Sequence, residues 1–202
     1  MNHFFRLAVL SLALVAVAQG QQAPVPPVRV RGTVQALDGE TLTLATPKDG
    51  AVKLAIGPNT GINGLVAKTV ADIGDNTFIG TTAVKDASGR WQATEVHIFP
   101  ESMRGVGDGH RGWDLQPTST MTNGNVEQSS ASSDGQVLTL KYKDGEKKIL
   151  VPADTPIVTY VTGEVSELKP GAPIFISAAT KQPDGTLKTP RVNVGRGVAP
   201  PM

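Results

Sequence analysis

Asp38-Gly39-Glu40-Thr41-Leu42-Thr43-Leu44 is answered further along the chain by Asp134-Gly135-Gln136-Val137-Leu138-Thr139-Leu140. Each stretch is a turn signal followed by period-2 alternation. Asp and Gly tolerate the positive φ of a tight hairpin turn. In a strand, Leu42 and Leu44 then share one face while Thr41 and Thr43 share the other. The correspondence continues in constant order. Lys48-Asp49-Gly50 matches Lys143-Asp144-Gly145, and Asn59-Thr60 matches Asp154-Thr155. Val70-Ala71-Asp72-Ile73 matches Val165-Ser166-Glu167-Leu168, Ser88-Gly89 matches Asp184-Gly185, and Glu95-Val96-His97-Ile98 matches Arg191-Val192-Asn193-Val194. Single-residue slips fall only in loops. The body of the chain is an internal duplication.

Each copy reads as three strands, a short helical turn and two further strands. In the first copy Val28, Val30 and Val34 alternate with Arg29, Arg31 and Thr33, and Asp49-Gly50 turns the chain into Val52, Leu54 and Ile56. That order predicts an all-β protein of two tandem five-stranded OB-like small barrels with a single short helical turn each. The expected layout is a leader over 1–18, a Pro-rich lead-in over 19–27, and barrel repeats over 28–99 and 125–194. An inter-repeat segment covers 100–124 and a flexible tail 195–202. A unit of about 70 residues is marginal alone, so the copies are expected to pack together or share a sheet edge.

Composition narrows the function. The 202 residues carry 19 basic and 18 acidic side chains, a net charge of +1. That balance supplies no field to attract nucleic acid or an anionic membrane surface. Cysteine is absent, which removes disulfides, thiolate metal sites and cysteine nucleophiles. Arg6 precedes an apolar run from Leu7 to Ala18, closed by Ala16-Val17-Ala18. This is the pattern of a cleavable export signal, and it is shorter than the ~20 apolar residues that span a bilayer. The expectation is an exported, soluble chain without a membrane span.

The segment 100–124 has no evident counterpart in the second copy, and it is rich in side chains that do chemistry. His97, Glu101, Met103, His110 and Met121, with Asp108 nearby, are candidate metal ligands. Imidazole with thioether suits copper, and imidazole with carboxylate suits zinc. Arg104, His110, Arg111, Trp113 and Asp114 are candidate ligand-binding residues, by charge or by cation–π stacking. Ser102, His110 and Asp114 are the types of a hydrolytic triad, but neither an elbow nor an oxyanion hole accompanies them. Gly105-Val106-Gly107-Asp108-Gly109 lacks the following helix that a phosphate loop needs. Alternation places Val96 and Ile98 on a core face and His97 on the other face with Glu95 and Phe99.

From His97-Ile98-Phe99-Pro100-Glu101 through Met103-Arg104-Gly105, Gly109-His110-Arg111, Trp113-Asp114 and Ser119-Thr120-Met121-Thr122-Asn123, the chain resembles a family of small exported bacterial proteins. These have OB-like domains of unknown function and occur largely in Gram-negative bacteria. Some members carry a label as metal ABC transporter permeases, which this chain's lack of apolar spans does not fit. The resemblance implies a periplasmic, non-enzymatic binding or accessory protein, its partner an envelope protein or small ligand. A periplasmic copper- or zinc-binding accessory is the alternative, and a hydrolase a second one.

Overall fold

The computed structural model describes residues 27–200; the leader and all but the last residue of the lead-in lie outside them. The duplicated hairpins form as their alternation requires. β1 (Val28–Asp38), β2 (Thr41–Thr46) and β3 (Gly50–Ala55) make one antiparallel meander. β8 (Thr120–Ser132), β9 (Gly135–Tyr142) and β10 (Gly145–Val151) make its counterpart. The expected helical turns are single 3-10 turns at Val70–Asp72 and Val165–Glu167. Each is closed in the same way, by the backbone N–H of Thr69 donating to Asp72 and that of Glu164 donating to Glu167, both at 2.8 Å. The protein is all-β.

Two five-stranded rings close, and each has the strand order of an OB barrel. In the first, β3 pairs in parallel with β13 (Leu187–Lys188), β13 with β12 (Pro173–Lys181), and β12 returns to β1. In the second, β10 meets β6 (Trp91–Ile98) in parallel, β6 pairs with β5 (Phe78–Lys85), and β5 returns to β8. Every ring therefore takes three strands from one copy and two from the other. The barrels do not coincide with the repeats 28–99 and 125–194. The copies have exchanged their final hairpins.

The exchange follows from the fourth strand of each copy. β4 (Gly61–Lys68) and β11 (Ile157–Thr162) are rich in apolar and β-branched residues, which favour extended backbone. At about 3.3 Å per residue, the eight residues of β4 carry the chain roughly 25 Å, out of its own barrel. β4 and β11 pair antiparallel with Leu65 opposite Tyr160, the point about which the two copies are related. β14 (Arg191–Gly195) lies parallel to β4, and β6 parallel to β11. A four-stranded bridge thus joins the barrels, which is the shared sheet that a marginal unit calls for.

Both cores are mixed for the same reason. Val30, Val34, Leu42, Leu44 and Leu54 pack with Leu168, Ile174, Ile176 and Val192; Ile73, Ile79 and Val96 pack with Leu138, Leu140 and Ile149. A third cluster, Leu65, Met121, Val158, Tyr160 and Phe175, covers one face of the bridge.

Two boundaries move. Residues 120–124 belong to β8 and repeat 28–32: Gly32 stands opposite Ile174, and Gly124 opposite its equivalent Ile79. The true insertion ends at Ser119. The residues after 194 are not loose as far as 200. Arg196 pairs with Glu167 at 2.7 Å, its N–H donates to the Leu65 carbonyl, and Val198 packs on the third cluster.

Candidate functional site

The insertion forms a strap across the bridge. It holds a 3-10 turn at Glu101–Met103 and a short strand, β7 (Gly109–Gly112), that adds to the edge of β8. Arg104 anchors one end, donating to both carboxylate oxygens of Glu101, to the Asn76 carbonyl and to the Asn125 side chain. Trp113 anchors the other under the Arg29 guanidinium, 3.7 Å from its ring centre. Asp114 completes that anchor by accepting from Arg31 at 2.9 Å and approaching Arg29 at 3.6 Å. Arg104 and Asp114, read as ligand-binding, dock the strap on the barrels.

Beneath the strap the register brings side chains into rows. His97 stands opposite Gly80, and Gly80 opposite Asn123; Glu95 stands opposite Thr82, and Thr82 opposite Met121. Because Gly80 has no side chain, the Asn123 amide and the Phe99 ring close over it: a Cβ there would stand 2.8 Å from Asn123 Oδ1 and 3.0 Å from the Phe99 ring. A cavity of about 140 Å³ lies here, lined by His97, Phe99, Met103, Arg111, Trp113 and Met121, among others. Asn123, Tyr160 and Arg191 also line it. A much larger groove of about 1060 Å³ beside Pro58, Thr186 and Lys188 is an open depression at the end of the first barrel. None of the buried polar atoms lacking a partner belongs to a residue lining that groove, so volume is not what singles out a site.

The cavity's polar groups are arranged in one direction. Glu95 and His97 are each only 1% exposed. Thr82 donates its hydroxyl to Glu95 at 2.7 Å, and His97 Nε2 lies 3.2 Å from the other carboxylate oxygen. A carboxylate only accepts, so Nε2 carries the hydrogen; in the neutral ring that tautomer places the lone pair on Nδ1. That Nδ1 has no partner. Asn123 donates its Nδ2 to the Val106 carbonyl at 2.9 Å, which leaves its buried Oδ1 unpaired, and the buried Trp113 Nε1 is unpaired too. Burial, reinforced by the Glu95 charge, holds the Tyr160 phenol well above its ordinary range.

The second copy is built differently here. Its equivalent row is Asn193, Phe175 and Arg31. Phe175 stands where the first copy has Gly80 and is fully buried. Asn193 is satisfied on both sides, accepting from Asn63 and donating to the Phe175 carbonyl.

Of the sequence-predicted metal ligands, the fold gathers His97, Met103 and Met121 and leaves two outside. Glu101 is a solvent-facing partner of Arg104. His110 sits across β8, with Nδ1 2.9 Å from the Thr122 hydroxyl. Of the predicted ligand-binding residues, Arg111 and Trp113 line the cavity; Arg104, His110 and Asp114 do not. The imagined triad is not assembled, since His110 faces Thr122 and Lys147 while Asp114 faces Arg29 and Arg31. Sequence reading missed Asn123 and Tyr160 as cavity residues. It also missed Gly80 beneath them, which comparison with Phe175 across the duplication would have found.

His110 belongs to a separate cluster at the mouth of the second barrel. Lys147 points inward there, where the first copy has Val52, and its ammonium lies 3.3 Å from the Trp91 ring centre and 3.3 Å from His110 Nδ1. Burial and the neighbouring Lys85 lower Lys147 to about 8; burial, then Lys147 and Arg111, lower His110. The unfolded chain binds the Lys147 proton more tightly than the folded one. Stability is therefore expected to rise between about pH 8 and pH 10.5 as this proton leaves. Lys147→Met is expected to remove that rise and to stabilise the protein at pH 7 by about 1–2 kcal/mol, allowing for the water that still reaches the ammonium. Urea midpoints at pH 7 and pH 10 check both.

Comparison with protein-family models, with curated proteins and with solved structures returns no match for this chain.

Proposed function

We propose that the protein is an exported, non-enzymatic binding module of the cell envelope that holds a small ligand in the cavity beneath its strap. One observation carries the reading. Three buried polar atoms without partners, His97 Nδ1, Asn123 Oδ1 and Trp113 Nε1, belong to residues around that one cavity. Each unsatisfied buried group costs about 1–3 kcal/mol, a cost that a complementary ligand removes. The signal-like leader and the family resemblance support the compartment. The balanced charge supports a small ligand over a nucleic acid.

The cavity's 140 Å³ is close to the volume that holds one benzene. Ligand-observed NMR with fragments of up to about eight heavy atoms is therefore the direct test. Wild type is expected to bind fragments that Gly80→Phe, which installs the second copy's side chain, no longer binds. Asn123→Leu gives the same comparison without adding a Cβ at Gly80. If neither change alters fragment binding while circular dichroism stays native, the cavity is not a binding site.

A further inference from the structure

We propose that the ligand is a single monovalent copper ion, held by His97 Nδ1 and the thioether sulfurs of Met103 and Met121. This rests on reading the cavity as a ligand site, and it adds the ligand's chemistry. The imidazole is already set for a metal. Glu95 accepts from Nε2, the arrangement in which a carboxylate fixes the tautomer and leaves the opposite nitrogen to coordinate. Thr82 holds that carboxylate in turn. His97 is 99% buried and its Nδ1 has no other partner.

The remaining donors select the ion. Met103 comes from the strap and Met121 from β8, and both line the cavity with His97. Thioethers are soft ligands that favour Cu(I), whereas calcium and magnesium require oxygen. No carboxylate is among the described residues lining the cavity, while Arg111 and Arg191 are. Two guanidiniums oppose a dication, and the single charge of Cu(I) is balanced by Glu95 behind His97. Phe99, Trp113 and Tyr160 supply an apolar wall beside these donors. The second copy carries Asn193, Arg191 and Phe175 at the equivalent places, so one ion per chain is the expected stoichiometry.

The test is an anaerobic titration of the exported chain with Cu(I) against a chromophoric chelator, with Zn(II) run in parallel. One Cu(I) per chain is expected, with Zn(II) at least 100-fold weaker. Met103→Leu combined with Met121→Leu preserves apolar volume and is expected to weaken Cu(I) at least 100-fold with the fold retained. Glu95→Gln, acting through His97, is expected to weaken it roughly 10- to 100-fold, and His110→Ala to leave it unchanged. Failure to bind Cu(I), equal binding by the double leucine variant, or loss on His110→Ala overturns the assignment. Fragment binding without Cu(I) binding removes copper and leaves the cavity standing. Absence of both removes the two together.

Discussion

Cleaving the chain once, at a protease sequence inserted after Gly105, is expected to leave both fragments in one particle. Gly105 is exposed, has φ +84, and has nothing within 4 Å of where a Cβ would sit, so an insertion there disturbs little. The amino-terminal fragment then holds β1 to β6 and the other β7 to β14. Neither can close a barrel alone, because each ring is three strands of one fragment and two of the other. Separation would open both cores and break the β4–β11, β4–β14 and β6–β11 ladders. The nicked protein should therefore elute from gel filtration at the size of the intact chain and separate only on denaturation. Its melting temperature should become concentration-dependent, because refolding is now bimolecular. Two folded fragments that part in native buffer would contradict the exchanged topology directly.

The exchange also explains why one chain carries one such cavity. A duplication whose copies merely sat side by side would place two equal faces apart. Here the bridge brings both copies to one surface around the Leu65–Tyr160 pair, under a single strap. The two equivalent rows differ: Gly80 beside His97 lets the Asn123 amide and the Phe99 ring approach the sheet, and Phe175 beside Asn193 takes that place itself. Divergence at polar, inward positions sits beside near-identity at apolar ones, Val96 with Val192 and Ile98 with Val194. The apolar positions pack into the barrel cores, whereas His97 and Asn193 face the cavity beneath the strap.

Much of the architecture was legible in the residues. The alternation of Leu42 with Leu44 and of Leu138 with Leu140, and the turns at Val70 and Val165, each reflect local chemistry that the chain cannot hide. Which copy completes which barrel was not legible, because the strands of one copy carry the same apolar stripe as those of the other, and local pattern is blind to the exchange. The start of β8 was hidden differently: Thr120-Met121-Thr122-Asn123-Gly124 shares only its glycine with Val28-Arg29-Val30-Arg31-Gly32. For the site, alternation placed His97 and Glu95 together on the face away from the core. That the strap buries this face, and turns His110 and Glu101 elsewhere, depends on tertiary contacts of Arg104 and Trp113 with residues far along the chain.

The shared glycine of those two strands gives a large stability effect. Gly32 and Gly124 lie where β1 and β8 pass from one neighbouring strand to the next, bending to close their rings. At that bend the backbones crowd. A Cβ at Gly124 would stand 2.5 Å from the Lys141 carbonyl oxygen, and one at Gly32 closer still to that of Ala45. These oxygens belong to ladder backbone and cannot swing aside as a side chain would. Relief requires moving a strand, and overpacking of this kind costs about 3 kcal/mol or more. At roughly 2–4 °C per kcal/mol for a chain of this length, either Gly32→Ala or Gly124→Ala should lower Tm by about 10 °C. Gly39→Ala is the control: its φ is +55 but nothing lies within 4 Å, so only the left-handed backbone penalty of about 1–2 kcal/mol applies. Equal melting curves for Gly39→Ala and Gly124→Ala would mean that the bend tolerates a side chain, and that the rings are not closed as tightly as these contacts require.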